Sequence, residues 1–434
     1  MNTYAQAIEY LNSSLPAFHH IGAEAFNAGL SNARALMSAL DNPQEKFLSV
    51  HVAGTNGKGS TSHLMAAALQ QAGLKVGLYT SPHLVDFAER IRINGKTIDE
   101  TYVVDFLNDN RKMIEDINPS FFELTMAMAF AYFADSKVDI AVVEVGLGGR
   151  LDSTNIITPL VSVITNIGLD HTELLGSTLA EIAAEKAGII KQEVPVVIGQ
   201  SDEQTTGVFT ARARELSAPI LFADHQPEVV LECQLKGDYQ KHNINTTYYA
   251  LKTLSEVERF KQLLLARCLK PLDKPLVEDA FKHVVDLTGL RGRWEVLRQQ
   301  PLMICDTGHN SHGLRPVFGQ LERLYEQRVK EFGKGACRLR ILMGMMSDKD
   351  VDVVVDLLPR DAVYYITQTD SPRAMKADEL LQRVKNRGMK GRGFENLSEG
   401  LSQVLTDSCT NDIIFIGGSN YIVGKALHFL SAMQ

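Results

Sequence analysis

Val50-His51-Val52-Ala53-Gly54-Thr55-Asn56-Gly57-Lys58-Gly59-Ser60 is the stretch that decides the fold of this 434-residue chain. An apolar run typical of a buried strand leads into a glycine-rich loop, and a lysine, a serine and a helical pattern follow. Backbone N–H groups in such a loop point at phosphate oxygens, Lys58 supplies a positive charge, and Ser60 offers a hydroxyl to magnesium. The stretch therefore predicts a nucleoside triphosphate site at the end of a strand.

The loop is shorter than the common phosphate-binding loop. Thr55 and Asn56 alone separate Gly54 from Gly57-Lys58, where the common pattern has four residues, and Gly59 stands between Lys58 and Ser60. This shortened form is not the loop of the common P-loop families, so it restricts the families of nucleotide-binding protein to which the chain could belong.

Composition excludes some classes of function. The chain has 44 Lys and Arg residues against 52 Asp and Glu, a formal net charge of −8, which does not favour nucleic acid as a partner. The N-terminal Met1–Gln6 lacks a basic region followed by an apolar run, and the longest apolar stretch, 126–134, is too short to span a bilayer. We expect a cytoplasmic protein without a membrane partner. Five scattered cysteines predict neither a disulfide framework nor a metal cluster: Cys233, Cys268, Cys305, Cys337 and Cys409.

Strand and helix patterns alternate in two series. Apolar runs without polar alternation indicate parallel strands that are covered on both faces. The first series predicts strands 47–53, 75–80, 140–145, 161–165 and 194–198, with helices from about residue 60 and over 101–116, 120–135, 178–190 and 203–216. The second predicts strands 302–305, 339–343, 362–366 and 413–416, with a helix after Ser419.

The fold class is therefore α/β with two domains. We expect an N-terminal P-loop-type domain over residues 1–293, with a mostly parallel sheet and helices on both faces. A smaller Rossmann-like domain over 294–434 follows. The glycine-containing segment 287–293 predicts the boundary and a hinge about which the second domain closes over the first. Ligand sites in such sheets lie beyond the carboxyl ends of the strands.

Three residues of the first domain each admit more than one interpretation. Glu144, near the end of a buried strand, could ligate magnesium or could pair with Arg150 or another cation. His171 could ligate a metal, act as a base, or be a hydrogen-bonded structural histidine. Lys186 could be a surface lysine beside Glu185, or a desolvated amine that reacts with carbon dioxide and then binds a second magnesium ion.

Two residues of the second domain are equally open. Asp306 could accept hydrogen bonds from ribose hydroxyls, or it could cap a helix. Arg293 could reach a polyphosphate, or it could be a solvated linker arginine.

Taken together, these motifs resemble the Mur ligase superfamily of ATP-dependent amide-bond ligases, and within it folylpolyglutamate synthase and dihydrofolate synthase. The resemblance runs from about residue 15 to the C-terminus. It rests on the blocks 51–60, Tyr79-Thr80-Ser81-Pro82-His83-Leu84, Glu89-Arg90-Ile91, Phe121-Phe122-Glu123-Leu124-Thr125, 144–152 and Glu185-Lys186-Ala187-Gly188-Ile189.

The resemblance implies a role for each matching position. Lys58, Lys186, His171 and Glu144 would be catalytic. ATP would be bound by Thr55, Asn56, Gly57, Lys58, Gly59, Ser60, Asn243, Arg293, Asp306 and His309. Two magnesium ions would be held by Ser60, Ser81, Glu144, His171 and Lys186 as its carbamate, and a monovalent cation could also bind. The pterin substrate would contact Gly29, Leu30, Ser31, Asn32, Ser120, Phe121, Phe122, Glu123, Leu151, Asp152 and Ser153.

Two blocks depart from the family pattern. The family's Asp-Gly-Ala-His-Asn-Pro is here Asp306-Thr307-Gly308-His309-Asn310-Ser311, which keeps the Asp, His and Asn. The family's Gly-x-His-Gln is here Gly237-Asp238-Tyr239-Gln240, and Tyr239 could alter contacts to adenine.

The resemblance implies a ligase that joins L-glutamate to a dihydropteroate or reduced folate carboxylate through an acyl phosphate, and we expect it to be a monomer. One alternative is a cell-wall Mur ligase, but only about 46 residues precede the first strand, where those enzymes have an extra domain. A second is a regulatory ATP-binding protein without ligase chemistry, which would not need Glu144, His171 and Lys186 together. A third is a generic P-loop kinase or GTPase, which the altered loop and the second domain disfavour.

Overall fold

The computed structural model describes residues 1–15, 29–347 and 349–432. The chain divides into two compact units. The first unit comprises Met1–Gln234 and Gln240–Leu290, and the second comprises Leu235–Tyr239 and Arg291–Gln434. Each contains a mostly parallel sheet with helices, so the predicted α/β class is confirmed.

Fourteen strands form two sheets in the described part of the chain. The first sheet has the order β4-β3-β2-β5-β1-β6-β7-β8, and the second has the order β13-β12-β11-β14-β10-β9. The strands are β1 Leu48–Ala53, β2 Val76–Tyr79, β3 Ile91–Ile93, β4 Lys96–Thr97, β5 Ile140–Glu144, β6 Val161–Ile164, β7 Val196–Ile198, β8 Ile220–Phe222, β9 Glu295–Gln299, β10 Leu302–Cys305, β11 Leu339–Met343, β12 Ala362–Ile366, β13 Lys390–Gly393 and β14 Ile413–Gly417.

Helices accompany both sheets. They are α1 Tyr4–Ser13, α2 Ser31–Ala39, α3 Lys58–Gln71, α4 Glu100–Asp109, α5 Arg111–Ile117, α6 Phe121–Asp135, α7 Thr172–Leu175, α8 Leu179–Ala187, α9 Thr206–Glu215, α10 Gln240–Glu256, α11 Glu258–Ala266, α12 Lys274–Lys282, α13 Val284–Thr288, α14 Ser311–Phe332, α15 Val351–Asp356, α16 Ala377–Asn386, α17 Leu397–Asp407 and α18 Asn420–Ser431.

The centre of the first sheet brings four chain segments to one edge. Strands β2, β5, β1 and β6 are neighbours and run parallel. Their carboxyl ends therefore lie side by side, and the segments that follow at Thr80, Gly54, Val145 and Thr165 begin from the same edge. The outer strands β3 and β4 are antiparallel.

Helix α3 is buried along most of its length. Residues Ser60–Leu69 are all buried, and α3 contacts the sheet as well as α10, α12 and α13. Small residues such as Ala66, Ala67 and Ala68 let these neighbours approach closely. The helix that starts at the predicted phosphate loop is thus held firmly inside the first unit.

The second unit repeats the plan on a smaller scale. Strands β10, β14, β11, β12 and β13 are parallel, and β9 pairs antiparallel with β10 at the edge. Asp306 follows β10 directly, at the carboxyl edge of this sheet.

The predicted helix 101–116 is wrong in one respect, because the structure breaks it at Asn110 into α4 and α5. Five short strands are not predicted by the sequence pattern: β3, β4, β8, β9 and β13. Except for the apolar β8, which has only three residues, these strands have polar or glycine-containing sequences. All five lie at or near the sheet edges, where burial does not impose a long apolar run. Among the described residues, no helix combines the length and apolar character needed to cross a membrane.

Candidate active site

The loop between β1 and α3 is fixed by the segment that follows β6. Thr55 N–H donates to the Asn166 carbonyl (2.9 Å), and Asn56 N–H donates to Asn166 Oδ1 (2.9 Å). Thr165 Oγ1 donates to the Asn56 carbonyl at 2.6 Å. Gly54 has φ +148°, and a Cβ there would clash with Thr165. These contacts hold the loop against the segment that follows β6.

Lys58, at the start of α3, folds back over the loop. Its ammonium donates to the carbonyls of Gly54 (2.9 Å) and Thr55 (3.2 Å). Gly57 precedes it with φ +83°, a conformation that glycine adopts without strain. This places a cation and the N-terminus of a 14-residue helix at the same point, an arrangement that attracts phosphate.

An amide network from α10 supports the end of the loop. Gln240 Nε2 donates to Ser60 Oγ (3.1 Å), and Asn243 Nδ2 donates to Gln240 Oε1 (2.8 Å). A Cβ on Gly57 would clash with Asn243 Oδ1. The structure thus brings Asn243, predicted from the resemblance to bind ATP, directly to the phosphate loop.

Glu144 ends the central strand β5, next to β1 in the sheet. Its side chain is 3% exposed, and Glu144 Oε2 accepts a hydrogen bond from Ser81 N–H (3.1 Å). Arg150, the alternative partner considered from the sequence, pairs instead with Glu185 at 2.8 Å. The interpretation of Glu144 as an Arg150 ion-pair partner is therefore wrong.

Lys186 is a buried lysine rather than a surface one. It lies near the end of α8 and is 3% exposed. Burial, followed by the nearby positive charge of Lys58, lowers the pKa of its amine to about 7, against the opposing effect of Asp170, Asp152 and Glu185. An amine with this pKa is partly neutral at physiological pH, as reaction with carbon dioxide requires.

His171 follows the end of β6 in a left-handed conformation, with φ +51°. Its Nε2 lies 3.9 Å from Asp170 Oδ1, and its backbone N–H donates to that same oxygen at 3.0 Å. The side chain of His171 is 24% exposed. Asp170 also acts on the pKa of Lys186, which links His171 to the same group of charges.

The residues at this edge fit a magnesium ion. Within residues 1–15, 29–347 and 349–432, no three or more His, Cys, Asp or Glu side chains form a ready-made metal cluster. Magnesium does not need one, because it keeps several waters and is bound by one or two carboxylates together with substrate phosphates. The buried carboxylate of Glu144 and the hydroxyl of Ser60, beside a phosphate loop, supply oxygen donors of this kind.

The predicted pterin-contacting segment 120–123 forms the start of α6. Ser120 and Glu123 form a reciprocal cap: Ser120 N–H donates to Glu123 Oε2 (2.7 Å), and Glu123 N–H donates to Ser120 Oγ (3.3 Å). Phe121 is buried beneath the Arg90 guanidinium, 5.1 Å from its ring centre. Phe122 is half-buried and packs on Gly146, so of the two rings it is the one that reaches the surface.

The predicted contacts at 151–153 differ among themselves. Asp152 is buried, and its carboxylate accepts hydrogen bonds from the backbone N–H groups of Leu147 (2.9 Å) and Thr154 (3.0 Å), so it shapes its own loop. Ser153 is buried, and its hydroxyl has no hydrogen-bond partner in the structure. Leu151 is half-buried. Ser153 is therefore the residue here with hydrogen-bonding capacity left for a ligand.

The predicted contacts at 29–32 lie at the start of α2. Gly29 has φ +145° and open space around it, and Leu30 and Asn32 are half-buried while Ser31 is exposed. Asn32 Nδ2 approaches Glu123 Oε2 at 3.5 Å, which brings this segment to the predicted contacts of α6.

In the second unit, Asp306 organises the segment after β10. Asp306 Oδ2 accepts from the Tyr239 hydroxyl (2.6 Å) and from Trp294 N–H (2.8 Å), and Oδ1 accepts from Gly308 N–H (2.8 Å). Burial raises the pKa of Asp306, and the bond from Tyr239 is the largest opposing effect. Asn310, not Asp306, caps helix α14 through Gly313 N–H.

Arg293 precedes Asp306 in the sequence and His309 follows it, and hydrogen bonds to backbone carbonyls position both side chains. Arg293 is half-buried, and one guanidinium N–H donates to the Gly292 carbonyl at 3.2 Å. Thr307 N–H donates to the same carbonyl (3.0 Å), which ties segment 292–294 to segment 306–308. His309 Nδ1 lies 3.0 Å from the Thr307 carbonyl.

Several residues that support these sites through hydrogen bonds are not predicted from the sequence. Thr165 and Asn166, which fix the phosphate loop, carry no motif, and their role follows only from the pairing of β6 with β1. Gln240, whose amide donates to Ser60 Oγ, lies in the block 237–240, but that block predicts no such contact. Arg90 donates to His83 Nδ1 (2.8 Å), and both residues lie in matching blocks that could have signalled them.

Comparison with known proteins agrees with this arrangement. The Mur ligase middle domain matches residues 52–257, and the Mur ligase glutamate ligase domain matches residues 292–420. The folylpolyglutamate synthase of Lacticaseibacillus casei is 32% identical over 420 residues, covering 89% of this chain and 91% of that protein. The dihydrofolate synthase/folylpolyglutamate synthase of Bacillus subtilis is 31% identical, covering 91% of this chain and 93% of that protein.

A solved structure has the same fold over nearly the whole chain. It is a bifunctional folylpolyglutamate synthase/dihydrofolate synthase with Mn, AMPPNP and L-glutamate bound. It is 27% identical with a TM-score of 0.81 and covers 99% of this chain and 98% of that one. With the phosphate loop, Glu144 and Lys186 gathered at one sheet edge, the chain belongs to the folylpolyglutamate synthase/dihydrofolate synthase family of ATP-dependent Mur ligases, which use a divalent metal.

Proposed function

We propose that this enzyme joins L-glutamate to the carboxylate of a pteroate or folate substrate at the expense of ATP. The observation that carries the proposal is the buried amine of Lys186, whose pKa is lowered to about 7 by burial and by Lys58 of the phosphate loop. A protein that only bound ATP would gain nothing from such a costly buried amine. L-Glutamate and an ATP analogue are both bound in a relative with the same fold.

The reaction begins with activation of a poor acyl donor. The substrate carboxylate attacks the γ-phosphorus of ATP, the bond to the β-phosphate oxygen breaks, and ADP leaves. Lys58 and the N-terminus of α3 hold the phosphates and offset their negative charge, so catalysis at this step is mostly positioning and electrostatics. The product is an acyl phosphate, a mixed anhydride.

The second step forms the amide. The α-amine of glutamate attacks the acyl carbon, and the tetrahedral intermediate collapses to the amide and inorganic phosphate, with loss of a proton from the amine. We propose that His171, which is partly exposed and lies near Asp170, makes a polar contact to the reacting groups at this stage. Water must be kept from the anhydride, because hydrolysis would waste ATP.

We propose the following residues for the metal. Ser60, Ser81, Glu144, His171 and the carbamate of Lys186 would hold magnesium, which when bound would neutralise negative charge on the triphosphate. Carbamylation turns a buried cation into an anionic oxygen donor, which relieves the repulsion between Lys186 and Lys58.

The remaining assignments concern ATP and the pterin. We propose that Thr55, Asn56, Gly57, Gly59 and Asn243 contact ATP in the first unit, and Arg293, Asp306 and His309 in the second. For the pterin we propose segments 29–32, 120–123 and 151–153, with Ser153 as the strongest hydrogen-bonding candidate because its buried hydroxyl is unpartnered. Residues 1–293 would then carry the ATPase and pterin sites, and 294–434 would complete the ATP and glutamate sites.

The test is phosphate release with ATP, magnesium and glutamate, offering dihydropteroate and tetrahydrofolate in separate reactions, with products identified by mass. We expect phosphate release that depends on glutamate and a product heavier by one glutamyl group. The two arms distinguish dihydrofolate synthase, folylpolyglutamate synthase and bifunctional activity. A nucleotide-linked muramoyl peptide serves as the negative arm. ATP hydrolysis without an amide from either pterin acid would contradict the proposal.

We also propose that the enzyme works as a cytoplasmic monomer. All five cysteines are free thiols, which suits a reducing compartment. Size-exclusion chromatography with light scattering at micromolar concentration is the check on the monomer, and a mass of twice 48.0 kDa would contradict it.

A further inference from the structure

The segment Leu235–Tyr239 belongs to the second unit, although the residues on either side of it belong to the first. Two hydrogen bonds fasten it to α14: Asp238 N–H donates to Gln320 Oε1 (2.7 Å), and Gln320 Nε2 donates to the Lys236 carbonyl (2.9 Å). Arg323 also pairs with Asp238. These contacts fix the backbone of the segment without involving the ring of Tyr239.

The ring of Tyr239 packs against the hydrophobic core of the second unit. Gly237 leaves room for it, since a Cβ there would come within 2.6 Å of the ring. The packed ring therefore directs the hydroxyl toward Asp306. The Tyr239 hydroxyl donates to Asp306 Oδ2 at 2.6 Å, a short distance typical of a hydroxyl that donates to a carboxylate.

Asp306 is 2% exposed, and its three hydrogen bonds connect three parts of the unit. Tyr239 and Trp294 N–H share Oδ2, and Gly308 N–H occupies Oδ1. Trp294 directly follows Arg293, and Gly308 directly precedes His309. The orientation of this carboxylate thus sets the backbone from which two proposed ATP contacts project.

We propose that Tyr239 is a positioning residue for ATP binding: its hydroxyl orients the carboxylate of Asp306 and thereby the backbone that carries Arg293 and His309. The inference rests on the proposed function, in which Asp306, Arg293 and His309 contact ATP. It assigns to Tyr239 a role that depends on a single hydroxyl rather than on the aromatic ring.

The direct test is Tyr239→Phe, which keeps the packed ring and removes the hydroxyl. Loss of a hydrogen bond to a charged group predicts a KM for ATP raised about tenfold. We expect kcat to change by less than about threefold and the KM for glutamate to stay the same, because the ground-state hold on ATP is what weakens. Titration calorimetry with a non-hydrolysable ATP analogue measures the same loss without turnover.

The matched control is Gln320→Leu, which removes the two hydrogen bonds between Gln320 and the segment and leaves Tyr239–Asp306 intact. If Tyr239 merely fastened the segment, the two variants would weaken ATP binding alike. We expect Gln320→Leu to bind the analogue as the wild type does, even if its thermal midpoint falls.

A spectroscopic measurement keeps the inference testable if Tyr239→Phe is poorly stable. Trp294 is the single tryptophan of the chain, and its own N–H donates to Asp306. We expect binding of the ATP analogue to change Trp294 emission in the wild type, and Tyr239→Phe to alter the emission of the free protein where Gln320→Leu does not.

A double-variant cycle with Asp306→Asn completes the design. If Tyr239 acts through Asp306, the effects on the affinity for the ATP analogue are non-additive, and the double variant is little worse than Asp306→Asn alone. Additive losses, or wild-type affinity in Tyr239→Phe, would overturn the inference. A wild-type protein that failed to bind the analogue would instead overturn the proposed function.

Discussion

Lys186 shows at the scale of one residue how environment decides chemistry. The letters around it, Glu185-Lys186-Ala187, suit a surface lysine, yet α8 buries it beside Lys58. The cost of charging a buried amine near a second cation favours the neutral form, and so favours the carbamate.

Replacing Lys186 by Ala should remove most turnover, by at least about 100-fold, while ATP binding persists, because the phosphate loop and α3 are untouched. Phosphate release and calorimetry with an ATP analogue measure the two properties separately. Normal turnover in this variant would exclude the carbamate.

The same residue predicts a dependence of stability on pH. The pKa of Lys186 is about 7 in the fold against 10.5 ordinarily, so between these values the unfolded chain holds a proton that the folded chain has released. Stability therefore rises with pH across this window, and the penalty is complete below about pH 7.

We expect Lys186→Met to be more stable than the wild type at pH 6, with a difference that shrinks toward pH 10. Urea unfolding in buffers free of carbon dioxide, which prevents carbamylation, measures it. A difference that stays constant over this range would show that Lys186 keeps its ordinary pKa.

Lys58→Ala should lower kcat about 100-fold or more, because the cation that offsets charge on the transferred phosphoryl group is lost. Phosphate release under saturating ATP is the measurement. The exposed Lys241→Ala is the control, with wild-type kcat expected. Equal rates for Lys58→Ala and Lys241→Ala would remove Lys58 from the site.

At the scale of elements, the phosphate loop depends on two neighbours, the end of β6 and helix α10. Gly57 stands where the loop enters α3, with φ +83° and Asn243 pressed against it. The side chain of Asn243 leaves no room for a Cβ there.

Gly57→Ala should destabilise the protein by about 1–2 kcal/mol through strain at positive φ and should weaken ATP binding more than tenfold. Gly207→Ala in α9 is the matched control, because nothing lies within 4 Å of its added Cβ. That change should leave activity intact and stabilise by up to about 1 kcal/mol. Similar ATP affinities in both variants would contradict the proposed role of the loop.

At the scale of the whole molecule, ligand binding should appear as stability. A magnesium complex of an ATP analogue at about 100 times its Kd should add about 2.7 kcal/mol to the unfolding free energy. We expect a rise of a few degrees in the thermal midpoint, reversed by EDTA. If EDTA did not reverse the rise in the thermal midpoint, the nucleotide would bind without the metal.

The sequence by itself determined the two α/β series, because buried parallel strands must be apolar along their length and phosphate loops need their glycines. It also identified the blocks around Lys58, Glu144 and Lys186. It could not find β4 or β13, since these edge strands carry no such apolar run, or the break at Asn110.

Only the tertiary structure decided which partners these residues take. Lys186 is buried by segments that are distant in the sequence. Three contacts likewise join positions far apart in the chain: the ion pair of Arg150 with Glu185, the hydrogen bond from Gln240 to Ser60 and the hydrogen bond from Tyr239 to Asp306. A local pattern records what each side chain can do. The pKa and the hydrogen bonds of that side chain depend on neighbours that only the folded sheet brings to its edge.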